Sequence, residues 1–454
     1  MEYDLRVLSY PLPEDVRRLK ESGAFDTCRA VIEKKLQSER TPNVLRERLL
    51  LELEILERLP EQYPYSFMDA IRKMQAEIRN FETDELEELW QEDACDWIYQ
   101  EGSVYFARPF FENLVKTRPE YAARWLHKED EAQREARIQL LRSNICLMKK
   151  EGLRSVHHHL KTKLCLTKEA EEKYNGKTAR VYLPLPVEEQ QVHNYRLRMI
   201  RPKPVLVAGP AYPQRTAVFE TVLAPGAAFE TEFEFDNVVS YQNPDPDQVL
   251  AAQPAFYTEE LLPHIRFTPF LRALAAEIVG TEQNPLKKAW LIYDYVTKNI
   301  MYSFVRSYST FSCIPEYAAS SRKGDCGFQA LLFITLCRIA GVPARWQSGL
   351  YATPYGVSPH DWAQYYAAPY GWLFADCSFG GSAYRAGDEE RRLFYRCNLD
   401  PYRIPYASEF QHEFIIPAGA YRSDPYDNQC GEVISEGKAL IYGTFETHYE
   451  HEVH

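Results

Sequence analysis

Cys326 is the residue whose surroundings in the sequence most clearly suggest covalent chemistry. It follows Asp325, a residue type that caps helices, and it begins the apolar stretch CGFQALLFITLCRIAG. Gly341 and Pro343 are typical signals for the end of that helix. The thiol is therefore predicted at the positive end of a helix, beside backbone N–H groups without an intrahelical partner. Such a position lowers a thiol pKa and offers a donor to a developing oxyanion, although the Asp325 carboxylate would oppose the first effect.

His360 and Asp376 lie on either side of a predicted β-hairpin, PHDWAQYYAAPYGWLFADCSFG, whose turn contains Pro369 and Gly371. The two residues are 16 positions apart (376 − 360), an even number. If the register is also even, both side chains lie on one face, about 5–8 Å apart at Cβ, and can hydrogen-bond. The carboxylate would hold the imidazole tautomer and stabilise the imidazolium. Asp361, next to His360, is expected to point to the opposite face.

These motifs together resemble the transglutaminase-like superfamily. The resemblance rests on Gly-Asp-Cys at a helix start, a GVPAR helix exit, His-x-Trp-x-x-Tyr, and Gly-Trp followed by Asp, over about residues 255–400. It implies a papain-like α+β core in which Cys326 is the nucleophile, His360 the base and then the acid, and Asp376 the orienting group. The segment with VYLPLP and RTAVFETVL is similar to the sandwich that precedes this core in some bacterial members.

The resemblance also implies a second oxyanion donor and has two departures. An aromatic donor upstream of the cysteine recurs in the family, and Tyr302 is the candidate here. Many members have Ala and Glu where this chain has Asp361 and Gln364, so contacts with substrate are expected to differ. The flanking domains of the calcium-dependent enzymes have no recognisable counterpart, so calcium activation is not implied. The mechanism requires no cofactor.

Histidine and cysteine patterns do not predict a metal site. Adjacent histidines do not converge on one ion unaided, and the cysteines contain no C-x-x-C pair. The histidines concerned are His157, His158, His159, His448, His451 and His454.

Periodicity divides the chain into four predicted units. Residues 1–155 form a helical N-terminal region, which includes the stretch DELEELWQEDACDWIYQ. Residues 156–250 alternate with period two and predict a β-sandwich-like domain. Residues 251–400 are the transglutaminase-like core, and residues 401–454 a β-rich C-terminal extension. The fold class is therefore multidomain α+β.

Composition limits the partners and the compartment. The 53 basic residues against 65 acidic ones give a net charge of −12, which disfavours a nucleic-acid partner. No stretch approaches the roughly 20 apolar residues that span a bilayer, so no membrane partner is expected. Ten scattered cysteines without an export signal favour reduced thiols and a cytoplasmic location.

The leading interpretation is cysteine-dependent acyl transfer on an amide of a peptide or protein substrate, through a thioester. Hydrolysis, as by a protease or amidase, is the first choice. Amine transfer, which would crosslink proteins, is the second. A different class, a non-catalytic binding scaffold, stays open, and the reactivity of the Cys326 thiol distinguishes it from an enzyme.

Overall fold

The N-terminal region is a set of helices with a small antiparallel sheet. The computed structural model of the protein describes residues 4–127, 130–441 and 443–454. The helices here are α1 (Glu14–Glu21), α2 (Phe25–Gln37), α3 (Asn43–Arg58), α4 (Phe67–Glu77), α5 (Thr83–Gln91), α6 (Phe110–Thr117), α7 (Pro119–Arg124) and α8 (Glu131–Glu151), and the strands are β1 (Tyr65–Ser66), β2 (Trp97–Gln100) and β3 (Ser103–Phe106).

One predicted helix in this region is wrong in its second half. The stretch DELEELWQEDACDWIYQ is helical only as far as Gln91, and its last four residues form β2, paired with β3. Glu101 and Gly102 join these strands with φ angles of 47° and 83°. Two consecutive positive φ values are typical of a type I′ hairpin turn. Because this turn pairs the end of the stretch with β3, that end is a strand and not a helix.

Two sheets follow, and their facing side chains form one hydrophobic cluster. The elements are β4 (Leu153–Leu166), α9 (Lys168–Tyr174), β5 (Thr178–Pro184), β6 (Val192–Arg201), β7 (Leu206–Val207), β8 (Thr216–Val222) and β9 (Ala228–Ser240). Every second residue of β9 is buried, the period of a strand with one covered face. Phe229 and Phe233 of β9 share the cluster with Val181 of β5 and Phe219 of β8.

The segment that holds the candidate site packs helices against a four-stranded antiparallel sheet. Its elements are α10 (Pro269–Val279), α11 (Pro285–Asn299), β10 (Met301–Tyr302), α12 (Ile314–Ser321), β11 (Lys323–Gly324), α13 (Cys326–Ile339), β12 (Ala344–Thr353), β13 (Gly356–Ala367), β14 (Gly371–Ala375), α14 (Cys377–Arg385), α15 (Glu389–Phe394) and β15 (Arg403–Ala407). The sheet has the order β14-β13-β12-β15. Nearly every side chain of α13 is buried, because neighbouring elements cover it on all sides. No helix in the described part of the chain is long and apolar enough to cross a membrane.

The C-terminal strands complete sheets that begin much earlier in the chain. They are β16 (Glu432–Ser435), β17 (Lys438–Ala439) and β18 (Phe445–Val453). One sheet has the order β17-β16-β5-β8-β7 and the other β18-β4-β9-β6. The strands predicted as an extension over 401–454 therefore do not form a sheet of their own. β15 joins the sheet of the candidate site, and the others join the two sheets described before it.

Candidate active site

Cys326 is the first residue of α13, where the sequence predicts it. The Asp325 carboxylate caps the helix by accepting a hydrogen bond from the Phe328 backbone N–H at 3.0 Å. The Tyr308 hydroxyl donates to the same Asp325 oxygen at 2.7 Å and holds the cap in place. Cys326 is 9% exposed and lines a cavity. The helix-start prediction is thus confirmed.

His360 and Asp376 are brought together by the register of β13 and β14. Ala363 pairs with Ala375, so His360 and Asp376 lie on one face in diagonal positions. His360 Nε2 and Asp376 Oδ2 are 2.8 Å apart, and both residues are buried. The hydrogen bond to Nε2 leaves Nδ1 as the ring nitrogen available for proton exchange with a nucleophile. The predicted hairpin contact is confirmed, whereas the catalytic role of the pair stays a prediction.

Arg403 also belongs to this buried group, although no pattern in the sequence reveals it. Its guanidinium lies 3.0 Å from Asp376 Oδ2 and 2.6 Å from Asp400 Oδ2, and it is fully buried. Burial raises the pKa of Asp376, but His360 and Arg403 outweigh burial and bring it to about 2. For His360, burial and Arg403 outweigh Asp376, so its pKa is lowered and the resting imidazole is neutral. Arg403 comes from β15, and no local motif connects it to the hairpin.

The Cys326 thiol contacts Asp361 rather than His360. Its Sγ donates to Asp361 Oδ2 at 3.3 Å, and no hydrogen bond joins it to His360 within the described residues. Burial first, and then the Asp361 and Asp325 carboxylates, raise the pKa of Cys326 well above its usual value. This direction is opposite to the lowering expected from the helix terminus, because burial and two carboxylates oppose thiolate formation. Gln429 fixes Asp361 by donating to Asp361 Oδ1 at 2.7 Å and to the His360 carbonyl at 3.0 Å.

Tyr302 lies beside the thiol. It ends β10, which pairs in parallel with β11 so that Tyr302 is opposite Gly324, two residues before Cys326. Burial and then the charge of a Cys326 thiolate raise the pKa of Tyr302, so its hydroxyl remains a neutral donor. This position is compatible with the predicted oxyanion role, which stays a prediction.

The cleft consists of two adjoining cavities. One, of about 520 Å³, is lined by Cys326 and Asp361. The other, of about 630 Å³, is lined by His360. Both are lined by Lys116, Tyr302, Ser358 and Pro359, so they meet at these residues. Lys116 comes from α6, and its Nζ lies 4.7 Å from the centre of the Tyr302 ring. The N-terminal region therefore forms part of the cleft wall.

The sequence of this segment matches a known family. Residues 272–377 match the sequence model of the transglutaminase-like superfamily. This segment belongs to that superfamily. The matched range contains Cys326, His360 and Asp376. Tyr302 and Asp361 also fall within it, whereas Lys116 and Arg403 lie outside.

The individual relatives are distant from this chain. A Haemophilus influenzae protein named only as uncharacterized is 28% identical over a stretch covering 25% of this chain and 37% of that protein. The chain thus spans little more than a third of that relative. Among solved structures, a Cytophaga hutchinsonii protein described as a proposed cysteine protease has 15% identity and a TM-score of 0.43, covering 66% of this chain and 90% of that one. The periplasmic domain of TgpA from Pseudomonas aeruginosa has 13% identity and a TM-score of 0.26, covering 51% of this chain and 98% of that one.

The histidines outside the matched segment contact protein groups, and two of them contact each other, with 3.0 Å between His158 Nδ1 and His451 Nε2. His158 is fully buried between the rings of Phe235 and His451, and its Nε2 is 2.9 Å from the Pro401 carbonyl. His157 pairs with Asp236 at 2.7 Å. Among the described residues, no three His, Cys, Asp or Glu side chains are grouped as metal ligands.

Proposed function

We propose that this protein is a cysteine-dependent acyl-transfer enzyme that hydrolyses an amide or peptide bond through a thioester on Cys326. The observation that carries the proposal is the buried His360–Asp376 hydrogen bond of 2.8 Å. His360 is adjacent on its strand to Asp361, the residue that the Cys326 thiol contacts. Membership of residues 272–377 in the transglutaminase-like superfamily supports cysteine-based catalysis in general.

The first step is proton transfer from the thiol to Nδ1 of His360. For this, the Cys326 side chain leaves Asp361 and turns about its Cα–Cβ bond towards the imidazole. Asp376 then stabilises the imidazolium through the hydrogen bond to Nε2. Because the resting imidazole is neutral, it is able to accept this proton.

The thiolate then attacks the carbonyl carbon of the substrate. A C–S bond forms, and the oxyanion is placed near the Cys326 backbone N–H and the Tyr302 hydroxyl. Collapse of this intermediate breaks the C–N bond, and the imidazolium gives its proton to the departing amine. Water, deprotonated by His360, attacks the thioester, releases the carboxylic acid and restores the thiol. Entry of a second amine in place of water would give amine transfer instead.

One observation favours the non-catalytic scaffold as a second candidate. The resting thiol is held by Asp361 and its pKa is raised, whereas an activated cysteine has a lowered pKa. A scaffold would keep this contact permanently, and an enzyme would release it when substrate binds.

The test measures iodoacetamide alkylation of each cysteine by mass spectrometry, in the parent protein and in His360→Ala, from pH 5 to 10. Turnover of a peptide library is followed in parallel, with and without an added amine. We expect alkylation of Cys326 to be slower in His360→Ala than in the parent protein, and turnover to be lost in Cys326→Ala. A Cys146→Ala variant is the matched control, because Cys146 is exposed and is among the lining residues of neither cavity.

Cleavage without amine incorporation identifies a hydrolase, and amine incorporation identifies a transferase. Absence of turnover, with Cys326 alkylation indifferent to His360→Ala at every pH, would establish the scaffold. We further propose that the enzyme works in the reducing cytoplasm, because a nucleophilic Cys326 requires a reduced thiol.

A further inference from the structure

The two cavities of the cleft have opposite charge. The cavity at Cys326 has four aspartates and one lysine, Lys116, in its wall. The aspartates are Asp325, Asp361, Asp424 and Asp427. Burial raises the pKa of Asp325 to about 6 and that of Asp427 to about 7, the direction expected of carboxylates without enough cationic partners. This acidic cavity therefore favours a cationic ligand.

Unpartnered polar atoms in the same wall point to a ligand independently of the charge. Trp346 Nε1 and the Tyr426 hydroxyl are buried and make no hydrogen bond within the described residues. Asp427 Oδ2 also makes none, although the nearby Ser348 hydroxyl lowers the pKa of Asp427. Buried polar groups are normally satisfied, so these atoms are suited to a bound polar group. The Tyr426 ring stacks on Phe410 at 5.0 Å, and both rings line the cavity, as aromatic walls around a cation do.

The cavity at His360 is basic. Five cationic side chains line it, and none of the aspartates or glutamates that the structure describes does so. They are Lys116, Arg134, Arg137, Arg385 and Arg391. Arg391 is partly neutralised by Asp388 at 3.4 Å, behind the wall. Without Arg137 and Arg391, the cationic side chains Lys116, Arg134 and Arg385 still give this wall an excess of positive charge, which favours an anionic group.

The chemistry assigns the two cavities to the two halves of the substrate. His360 must deliver a proton to the departing amine, so the leaving group lies on the His360 side. The acyl group becomes bonded to Cys326 and extends into the cavity on the other side of the sulfur. The acyl half is thus placed in the acidic cavity and the leaving half in the basic one.

We propose that the substrate carries a cationic group on the acyl side of the scissile bond and an anionic group on the leaving-group side. This inference rests on the proposed function for its orientation. Lysine-like ammonium before the scissile bond and a glutamate-like carboxylate after it satisfy both cavities. The reversed arrangement places like charges together in both, which discriminates against it.

The test compares two dipeptides of equal composition, N-acetyl-Lys-Glu-amide and N-acetyl-Glu-Lys-amide, as protectors of Cys326 against iodoacetamide at pH 8. A bound peptide protects whether or not it is cleaved, so the measurement does not require turnover. Equivalent peptides with an unacetylated N-terminus show whether an α-ammonium replaces the lysine side chain. We expect the Lys-Glu order to protect with an inhibition constant at least about tenfold lower than the Glu-Lys order.

Two variants locate the effect. Asp427→Asn and, separately, Arg134→Gln are expected to reduce the order preference at least about threefold. Asp247→Asn, the same chemical change on the exposed surface, is expected to preserve it. Arg134 is exposed on α8, so its variant remains informative if the buried Asp427 variant fails to fold.

The possible results separate this inference from the proposed function. Equal protection by the two orders, or better protection by Glu-Lys, would overturn the charge assignment and leave the enzyme proposal standing. If Cys326 is never alkylated, with or without peptide, the nucleophile and the proposed function fall together.

Discussion

Replacement of Asp361 by Asn is expected to make the Cys326 thiol markedly more reactive. Burial, and then Asp427 and Asp325, raise the pKa of the Asp361 carboxyl as well. At a pH where this carboxyl is ionised, a thiolate must form 3.3 Å from an anion. The amide introduced by Asp361→Asn would keep an oxygen for the Gln429 hydrogen bond and remove the charge. The variant therefore isolates the electrostatic effect of Asp361 on the sulfur.

The magnitude follows from the distance between the two groups. Two unit charges at 3.3 Å repel by about 5 kcal/mol at an effective dielectric constant of about 20. At 1.36 kcal/mol per pKa unit, this repulsion corresponds to about three to four units of thiol pKa. Where Asp361 is ionised and the pH lies below the thiol pKa, a three-unit fall raises the thiolate fraction about 1,000-fold, but nucleophilicity falls with a Brønsted coefficient of about 0.4–0.5. The expected net gain in rate is about 30- to 60-fold.

The assay is the rate at which Cys326 forms a mixed disulfide with dithiodipyridine from pH 6 to 10, read by mass spectrometry of its peptide. Asp247→Asn controls for loss of one negative charge at the surface, and circular dichroism checks the fold. An Asp361→Asn rate within about twofold of the parent at every pH, in a folded protein, would refute the electrostatic account of the raised thiol pKa.

Three further predictions concern buried groups. Arg403→Met leaves the buried carboxylates of Asp376 and Asp400 without their cation and should lower the free energy of unfolding, measured in urea, by about 3–5 kcal/mol. A change below about 1 kcal/mol would contradict the buried ion pair. Burial lowers the pKa of His264 to about 3. As the pH falls below about 6.5, His264 therefore binds a proton in the unfolded state but not in the folded state, and the folded state loses stability. His264→Gln should therefore reduce the loss of unfolding free energy between pH 6 and 4 by about 1.4 kcal/mol per pH unit, and an unchanged slope would disprove it. A methyl group at Gly327 would overlap the Tyr308 hydroxyl and the Asp361 carboxylate. Gly327→Ala should thus destabilise by about 1–3 kcal/mol, whereas Gly209→Ala, with open space around it, should not; equal stabilities would refute the packing.

Local patterns in the sequence predict the parts of the site that are close along the chain. The Asp325 cap, the start of α13 and the even register of the hairpin depend on residues within a few turns or strands of one another, so their geometry follows from local rules. The same alternation correctly separates His360 from Asp361. Strand alternation does not predict how α13 packs against the sheet. That packing decides whether the Cys326 thiol contacts His360 or Asp361.

The missed residues come from distant parts of the chain. Lys116 lies 210 positions before Cys326 (326 − 116), and Arg403 lies 27 positions after Asp376 (403 − 376) on a strand at the other end of the sheet. Neither has a neighbouring motif, because its position results from packing between whole elements. The C-terminal strands show the same limit. Their alternation predicts strands, but only tertiary pairing reveals that they belong to sheets begun by β4 and β5.

The pairing of β4 with β18 affects how the chain folds while it is being made. Leu166 of β4 pairs with Phe445 of β18, so the ribosome must add another 279 residues (445 − 166) before the partner exists. At about 5–20 residues per second, β4 waits roughly 15–55 s with one edge open. An open strand edge is a template for pairing with other chains. Nascent molecules are therefore expected to need chaperone protection throughout this interval, and release of the chain before β18 should lead to aggregation.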